Sequence, residues 1–136
     1  MPWVRPMPDT NQGISVPDVL LIEDAWRFRA AIKAQLVEMG YTVLRLSTME
    51  AGVKLLAVLH RALPRLVVVD TVGQTNPGGM LPQLRAVAED IPMILCTGPF
   101  DREMLHFNPD DWAAILVRPF SIGDLVSRVI EFLGEA

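Results

Sequence analysis

The chain has 136 residues, of which 51% are hydrophobic and 21% charged. It is therefore long and apolar enough to fold around one core, and it is not disordered throughout. Its formal net charge of −4 comes without a basic run, which argues against direct binding of nucleic acid. No apolar segment approaches the roughly 20 residues that a membrane-spanning helix needs, so no contact with a membrane is expected.

Residues 1–17 contain four prolines and no continuous apolar stretch, which predicts a flexible leader and not a signal peptide. One domain is expected over residues 18–136. The single cysteine, Cys96, permits no internal disulfide, so a cytoplasmic location is expected. With no output domain expected after Ala136, the chain is either a stand-alone domain or an excised part of a longer protein.

Short apolar runs bounded by turn residues predict the strands. Leu66 and three valines form a run typical of a strand buried on both faces, and that run ends on Asp70. The other predicted strands are residues 18–22, 41–46, 93–96 and 114–117, the second of them half-buried or at an edge. Helical spacing of apolar residues predicts helices over residues 25–39, 47–62, 81–89 and 101–107, and a last helix after Ser121.

Local signals predict where the helices begin. Ser47 with Glu50, and Ser121 with Asp124, have the spacing of capping boxes. Residues 71–79 are polar and turn-rich, which is typical of a loop. Helix 47–62 has more apolar side chains than one buried face needs, which favours a homodimer or another partner subunit covering part of it.

The strict alternation of strand and helix predicts an α/β fold. With right-handed crossovers it becomes a doubly wound (βα)5 flavodoxin-like sandwich, with a parallel five-stranded sheet of order 2-1-3-4-5. Ligands of such sheets bind beyond the carboxyl ends of the strands. The residues that follow each predicted strand are therefore the candidates for a functional site.

Carboxylates follow two of these strands. Glu23 and Asp24 come after the first and Asp70 ends the third, so we expect them at one edge of the sheet, beside Thr97 and Arg118. Crowded carboxylates repel each other and raise a pKa unless a cation is bound. Mg²⁺ suits such oxygen ligands, and the remaining aspartate would then serve as a nucleophile in phosphoryl transfer.

The motifs at the strand ends resemble those of the receiver domain of bacterial two-component response regulators: Glu23-Asp24, Asp70, Thr97-Gly98 and Arg118-Pro119-Phe120. The resemblance covers nearly all of the chain from Pro17 onward.

This resemblance implies that Asp70 accepts a phosphoryl group from a histidine kinase or phosphotransfer protein, with Mg²⁺ as cofactor. It assigns the metal to Asp24, Asp70 and the backbone carbonyl of Val72, with Glu23 as a water-mediated ligand. Thr97 would hydrogen-bond the phosphoryl group, and the face of helix 4, strand 5 and helix 5 would pass the change to a downstream effector. Such a domain is a phosphoacceptor, and not an enzyme beyond its own phosphotransfer and dephosphorylation.

Arg118 stands where the family has a lysine, and it would face the phosphate. Lysine is a compact point charge and arginine a planar fork, so phosphotransfer is expected to be slow or lost. Ile115 replaces an aromatic residue of the family's switch. Val72 and Pro99 lack the side-chain hydrogen bonds that orient an attacking water, which predicts slow hydrolysis. The family's usual cis bond is expected between Arg118 and Pro119.

Two functions remain open. The chain is either a phosphoacceptor receiver, or a pseudo-receiver in which Arg118 pairs with Asp70 or Glu23 and the domain acts as a protein-interaction module without phosphate. An unrelated phosphatase or flavin-binding protein is disfavoured, because residues 71–79 make a poor phosphate cradle. Other candidate residues have simpler interpretations: His60 and His106 as surface histidines, Asp110-Asp111 as a solvated loop, and Trp26 as a packing residue or part of the site rim.

Overall fold

The computed structural model describes residues 16–59, 63–105 and 108–134. Its strands are β1 (Val19–Ile22), β2 (Val43–Leu46), β3 (Leu66–Asp70), β4 (Met93–Thr97) and β5 (Ala114–Val117). All neighbouring strands pair in parallel, in the order β2-β1-β3-β4-β5. This confirms the predicted flavodoxin-like sheet, since the chain crosses to the other side of β1 when it enters β3.

Five α-helices connect and flank the strands: α1 (Trp26–Glu38), α2 (Met49–Leu59), α3 (Pro77–Ala88), α4 (Pro99–Leu105) and α5 (Ile122–Leu133). A 3-10 turn, Pro109–Asp111, precedes β5. It contains the exposed Asp110 and Asp111, in line with their interpretation as a solvated segment. Among the described residues, no helix is long and apolar enough to cross a membrane.

Two hydrophobic cores lie on opposite faces of the sheet, because alternate residues of each strand point to opposite sides. Leu21 and Val68 face the layer formed by α1 and α5. Leu20 and Val69 face the layer formed by α2 and α3. Every residue of β1, β3 and β4 is buried, so the ends of these three strands are fixed relative to one another.

The start of α2 differs from the prediction. Its N-cap is Thr48, whose hydroxyl accepts a hydrogen bond from the Ala51 amide, 3.1 Å away. The Gln74 side chain donates to the Ser47 carbonyl and accepts from the Met49 amide. This contact from a distant loop keeps Ser47 outside the helix. The predicted capping box of Ser47 and Glu50 is therefore wrong, and the N-cap lies one residue later, whereas the Ser121 capping box is confirmed.

Helix α3, unlike α2, begins earlier than predicted. Residues 77–79 were expected in a loop, but Pro77 is the first helical residue and Asn76 is the N-cap, with its side chain accepting from the Gly79 amide. Proline suits the first helical position because its missing N–H would have no partner there and its φ is already near the helical value. The turn-forming residues therefore start this helix.

The apolar surplus of α2 is largely covered within the chain. Val53, Leu55 and Leu59 pack against the second core. Among the large apolar side chains described in this helix, only Val58 is strongly exposed, at 72%. A partner subunit over this helix stays a prediction. The expected leader, apart from residues 16 and 17, and both histidines lie outside the described residues.

Candidate functional site

The register of the parallel strands brings the predicted site residues together. Ile22 pairs with Val69, so Glu23, the next residue, lies beside Asp70 at the carboxyl edge of the sheet. Thr97 ends the adjoining strand β4 and pairs with Val117, which places Arg118 next to it. The Arg118 amide donates to the Thr97 carbonyl at 2.9 Å and extends this ladder by one residue.

Asp70 is 2% exposed, and both of its carboxylate oxygens already have partners. Oδ1 accepts a hydrogen bond from the Val72 amide at 2.8 Å. Oδ2 accepts from Nη2 of Arg118 at 2.5 Å. Ionised partners make such hydrogen bonds short and strong, so the Asp70 carboxylate is held from two sides.

Arg118 is the cation at the centre of this site. Its Nη2 also donates to Oε1 of Glu23 at 3.4 Å. Its guanidinium carbon lies 5.1 Å from the centre of the Phe28 ring and 5.7 Å from that of Phe120, within the range of cation–π attraction. Burial by itself would lower the Arg118 pKa, but the pairing with Asp70 and Glu23 raises it above its ordinary value.

Glu23 is 1% exposed, and its Oε2 accepts from the Ala25 amide at 3.1 Å. The Arg29 side chain donates to the Glu23 carbonyl at 2.6 Å, which fixes the turn after β1. Burial, followed by the hydrogen bond and the repulsion with Asp70, raises the pKa of Glu23 to about 8. Glu23 therefore holds its proton more tightly in the folded protein than in the unfolded chain.

Stability should reveal this proton. Between about pH 4.5 and pH 8 the folded state keeps a proton on Glu23 that the unfolded chain has lost, so stability falls as pH rises through this window. For one full proton the slope is about 1.4 kcal/mol per pH unit. In urea unfolding across this range, Glu23→Gln should show a shallower decline than the wild type. Equal slopes for the two proteins would contradict the assignment.

Asp24 does not join this cluster. It is exposed, and its carboxylate lies against Gly73, where an added Cβ would collide with it. Among the described residues, no group of three or more Asp, Glu, His or Cys side chains is placed to hold a metal ion. With Arg118 already between the two buried carboxylates, the predicted ligands do not fit Mg²⁺ in this arrangement, because a guanidinium supplies the neutralising charge.

Thr97 is fully buried, at 0% exposed, and its hydroxyl lies 2.7 Å from that of Thr71. Among the described contacts it makes no hydrogen bond to Asp70. The Arg118–Pro119 peptide bond is cis, as expected. Trp26 is 64% exposed at the start of α1, and Cys96 stays a thiol because burial, with the charges of Asp70 and Glu23, raises its pKa.

Three residues of this site were not predicted from the sequence. Phe28 lies in the predicted helix 25–39 and was not singled out, but its ring covers Arg118. Thr71 was assigned to a loop and Asp101 to a short helix, but Thr71 donates to the Asp101 carboxylate at 2.8 Å. The position of Thr71, directly after Asp70, was the one signal that could have identified it.

Solved structures with a similar fold include several receiver domains. The receiver domain of a sensor histidine kinase from Pseudomonas aeruginosa, described with a magnesium ion in its active-site cleft, has a TM-score of 0.68 at 22% identity, covering 89% of this chain and 100% of that one. A CheY-like response regulator receiver domain protein from Methanospirillum hungatei has a TM-score of 0.70 at 19% identity, covering 86% and 93%. The chain has the receiver-domain fold.

An adenylate cyclase structure from Rhodopirellula baltica also matches, with a TM-score of 0.70 at 14% identity and 85% coverage of each chain. No protein-family model matches the sequence, and no curated protein does. At these identities the likeness concerns the fold, so function has to be argued from the site.

Proposed function

We propose that this chain is a signalling receiver module that acts through protein contacts and whose acidic site is held closed by Arg118. This is the pseudo-receiver alternative of the sequence analysis. It turns over no substrate. Its partner would be an effector protein, whereas a histidine kinase or phosphotransfer protein is the partner that the phosphoacceptor alternative implies.

The contact between Arg118 and Asp70 carries this proposal. The guanidinium touches the carboxylate oxygen that an incoming phosphoryl group or metal ion would need, at 2.5 Å. The Glu23 carboxyl and the rings of Phe28 and Phe120 hold the same guanidinium. Opening the site would break all of these contacts together, and it would leave the Asp70 charge buried without a cation.

Protein contact is supported by the surface of α4. Phe100 is 73% exposed and Met104 is 59% exposed, and their spacing of four residues places them on one face of the helix. Exposed apolar side chains grouped on one face favour association with another protein. A cytoplasmic location and a homodimer agree with this role and stay predictions.

Phosphoryl acceptance by Asp70 with Mg²⁺ is the second candidate. It is favoured by the placement of Asp70 at the carboxyl end of the central strand, with Glu23, Thr97 and Arg118 around it. It is also favoured by the magnesium ion described for the Pseudomonas receiver domain. In this chain it would require Arg118 to leave the Asp70 carboxylate and Asp24 to turn toward it.

Phosphorylation by a small donor separates the two candidates. Wild type, Arg118→Lys, Asp70→Asn and the double variant are incubated with acetyl phosphate and Mg²⁺, and intact mass is recorded. We expect no adduct on the wild type and a Mg²⁺-dependent adduct on Arg118→Lys, because the slimmer ammonium leaves room at Asp70. The adduct should vanish in the double variant.

A Mg²⁺-dependent adduct on the wild type that Asp70→Asn lacks would overturn the closed-site proposal and establish a phosphoacceptor. If neither the wild type nor Arg118→Lys is modified, the module does not depend on phosphate. Arg118 is then not the sole reason why Asp70 fails to accept a phosphoryl group. Beryllofluoride, followed by tryptophan fluorescence, gives the same comparison without covalent turnover.

A further inference from the structure

Behind Asp70, three side chains form a continuous chain of hydrogen bonds that leads from the sheet to α4. The hydroxyl of Thr97 lies 2.7 Å from that of Thr71, and the Thr71 hydroxyl donates to Oδ2 of Asp101 at 2.8 Å. Thr97 and Thr71 are 0% and 1% exposed. Water therefore cannot readily replace either partner, and the chain is isolated from solvent at its sheet end.

The direction of this chain follows from its protons. A hydroxyl has one proton to donate, and a carboxylate only accepts. The Thr71 proton goes to Asp101, so Thr97 must be the donor in its bond to Thr71. The one donor of Thr97 is therefore directed toward α4 and is not available to Asp70. The other nearby acceptor, the Gly98 carbonyl, lies at the limit of hydrogen bonding, 3.5 Å away.

Helix α4 depends on such a contact because little packing holds it. None of its residues is buried, and Phe100 and Met104 face solvent. Thr71, by contrast, is fixed in the sheet, where its amide donates to the Cys96 carbonyl at 2.9 Å. The Thr71–Asp101 bond thus joins a rigid strand end to the first turn of a weakly packed helix.

We propose that Thr71 and Asp101 form a latch that fastens α4 to the edge of the sheet and directs the Thr97 hydroxyl away from Asp70. The latch goes beyond the proposed function, since it requires neither a phosphoryl group, nor a metal, nor the Arg118 contact. Opening it frees the Thr97 hydroxyl and releases the helix that carries the exposed Phe100 and Met104. Thr71 is a positioning residue in this scheme.

Hydrogen exchange tests the latch. Thr71→Val keeps the shape of the side chain and removes the hydroxyl, so amides of α4 should exchange about tenfold faster, the change expected for loss of one buried hydrogen bond. Thr71→Ser restores the hydroxyl and should exchange like the wild type. Thr75→Val, in an exposed position of the same loop, is the matched control and should change nothing. Exchange of α1 and α5 reports whether the fold is intact.

Double substitution checks the coupling. Because Thr97 donates into the same chain, adding Thr97→Val to Thr71→Val should not accelerate α4 exchange further. The proposed latch is overturned if the α4 amides of Thr71→Val exchange at the wild-type rate. It is also overturned if they exchange as fast in Thr71→Ser as in Thr71→Val, because the effect would then come from packing and not from the hydroxyl. None of these measurements contains a phosphoryl donor, so they stand or fail independently of the proposed function.

Discussion

Replacing Arg118 with alanine should lower the free energy of unfolding by about 2–4 kcal/mol, because it leaves the Asp70 charge in the protein interior without its cation. Asp70 and Glu23 are 2% and 1% exposed, whereas the Arg118 side chain is 34% exposed, so the loss is placed below that of a fully buried pair. Urea unfolding at neutral pH measures it.

Arg128→Ala is the matched control. Arg128 pairs with Glu131 on the surface of α5, and the two side chains are 48% and 59% exposed. Removing an exposed pair of this kind changes stability by about 0–1 kcal/mol. If Arg118→Ala lowers the free energy of unfolding no more than Arg128→Ala does, Arg118 is not the group that neutralises the buried Asp70.

Mg²⁺ provides a second readout on the same proteins. In Arg118→Ala the two buried carboxylates have lost their cation, so Mg²⁺ should raise the thermal midpoint of this variant by preferential binding to the folded state. The wild type should show no such rise, because Arg118 occupies that position. Stabilisation of the wild type by Mg²⁺, absent in Asp70→Asn, would instead favour the phosphoacceptor.

Leu20→Ala should destabilise the protein at least as much as Arg118→Ala does. We expect it to lower the free energy of unfolding by about 3–4 kcal/mol, because it opens a cavity in the second core. Leu20 is 0% exposed in the middle of β1, the strand that delivers Glu23 to the site. Thermal or urea unfolding checks the value, and Val58→Ala, at a side chain 72% exposed on α2, should stay within about 0.5 kcal/mol of the wild type. Similar losses in both variants would contradict the assignment of the core.

The strands were the most predictable part of the fold. The continuous apolar run in Leu66–Asp70 favours burial on both faces of the strand, and the strand is buried throughout. Its composition alone therefore indicates a central strand. Helix starts were less predictable. Thr48 rather than Ser47 caps α2 because Gln74, 25 residues away from Met49, holds the turn in place, and no local pattern records such a contact.

Four polar residues of the candidate site were predictable from the sequence, but the bonds between them were not. Asp70 and Thr97 end strands, and Glu23 and Arg118 directly follow strands. Because parallel pairing brings strand ends together, the proximity of these residues could be inferred. The separation of Asp24 from the other carboxylates could not, because it depends on the turn at Gly73, whose φ is +81°.

The sequence by itself determined the layered α/β fold, the strand order and the residues at the carboxyl edge, because hydrophobic periodicity and strand ends are local properties of the chain. Only the tertiary structure showed what surrounds Arg118, since two rings and two carboxylates from three parts of the chain meet at its guanidinium. It also decided the partner of Thr71, which lies 30 residues away. Hydrogen-bond partners follow from strand register and side-chain conformation, and both are set when the layers pack.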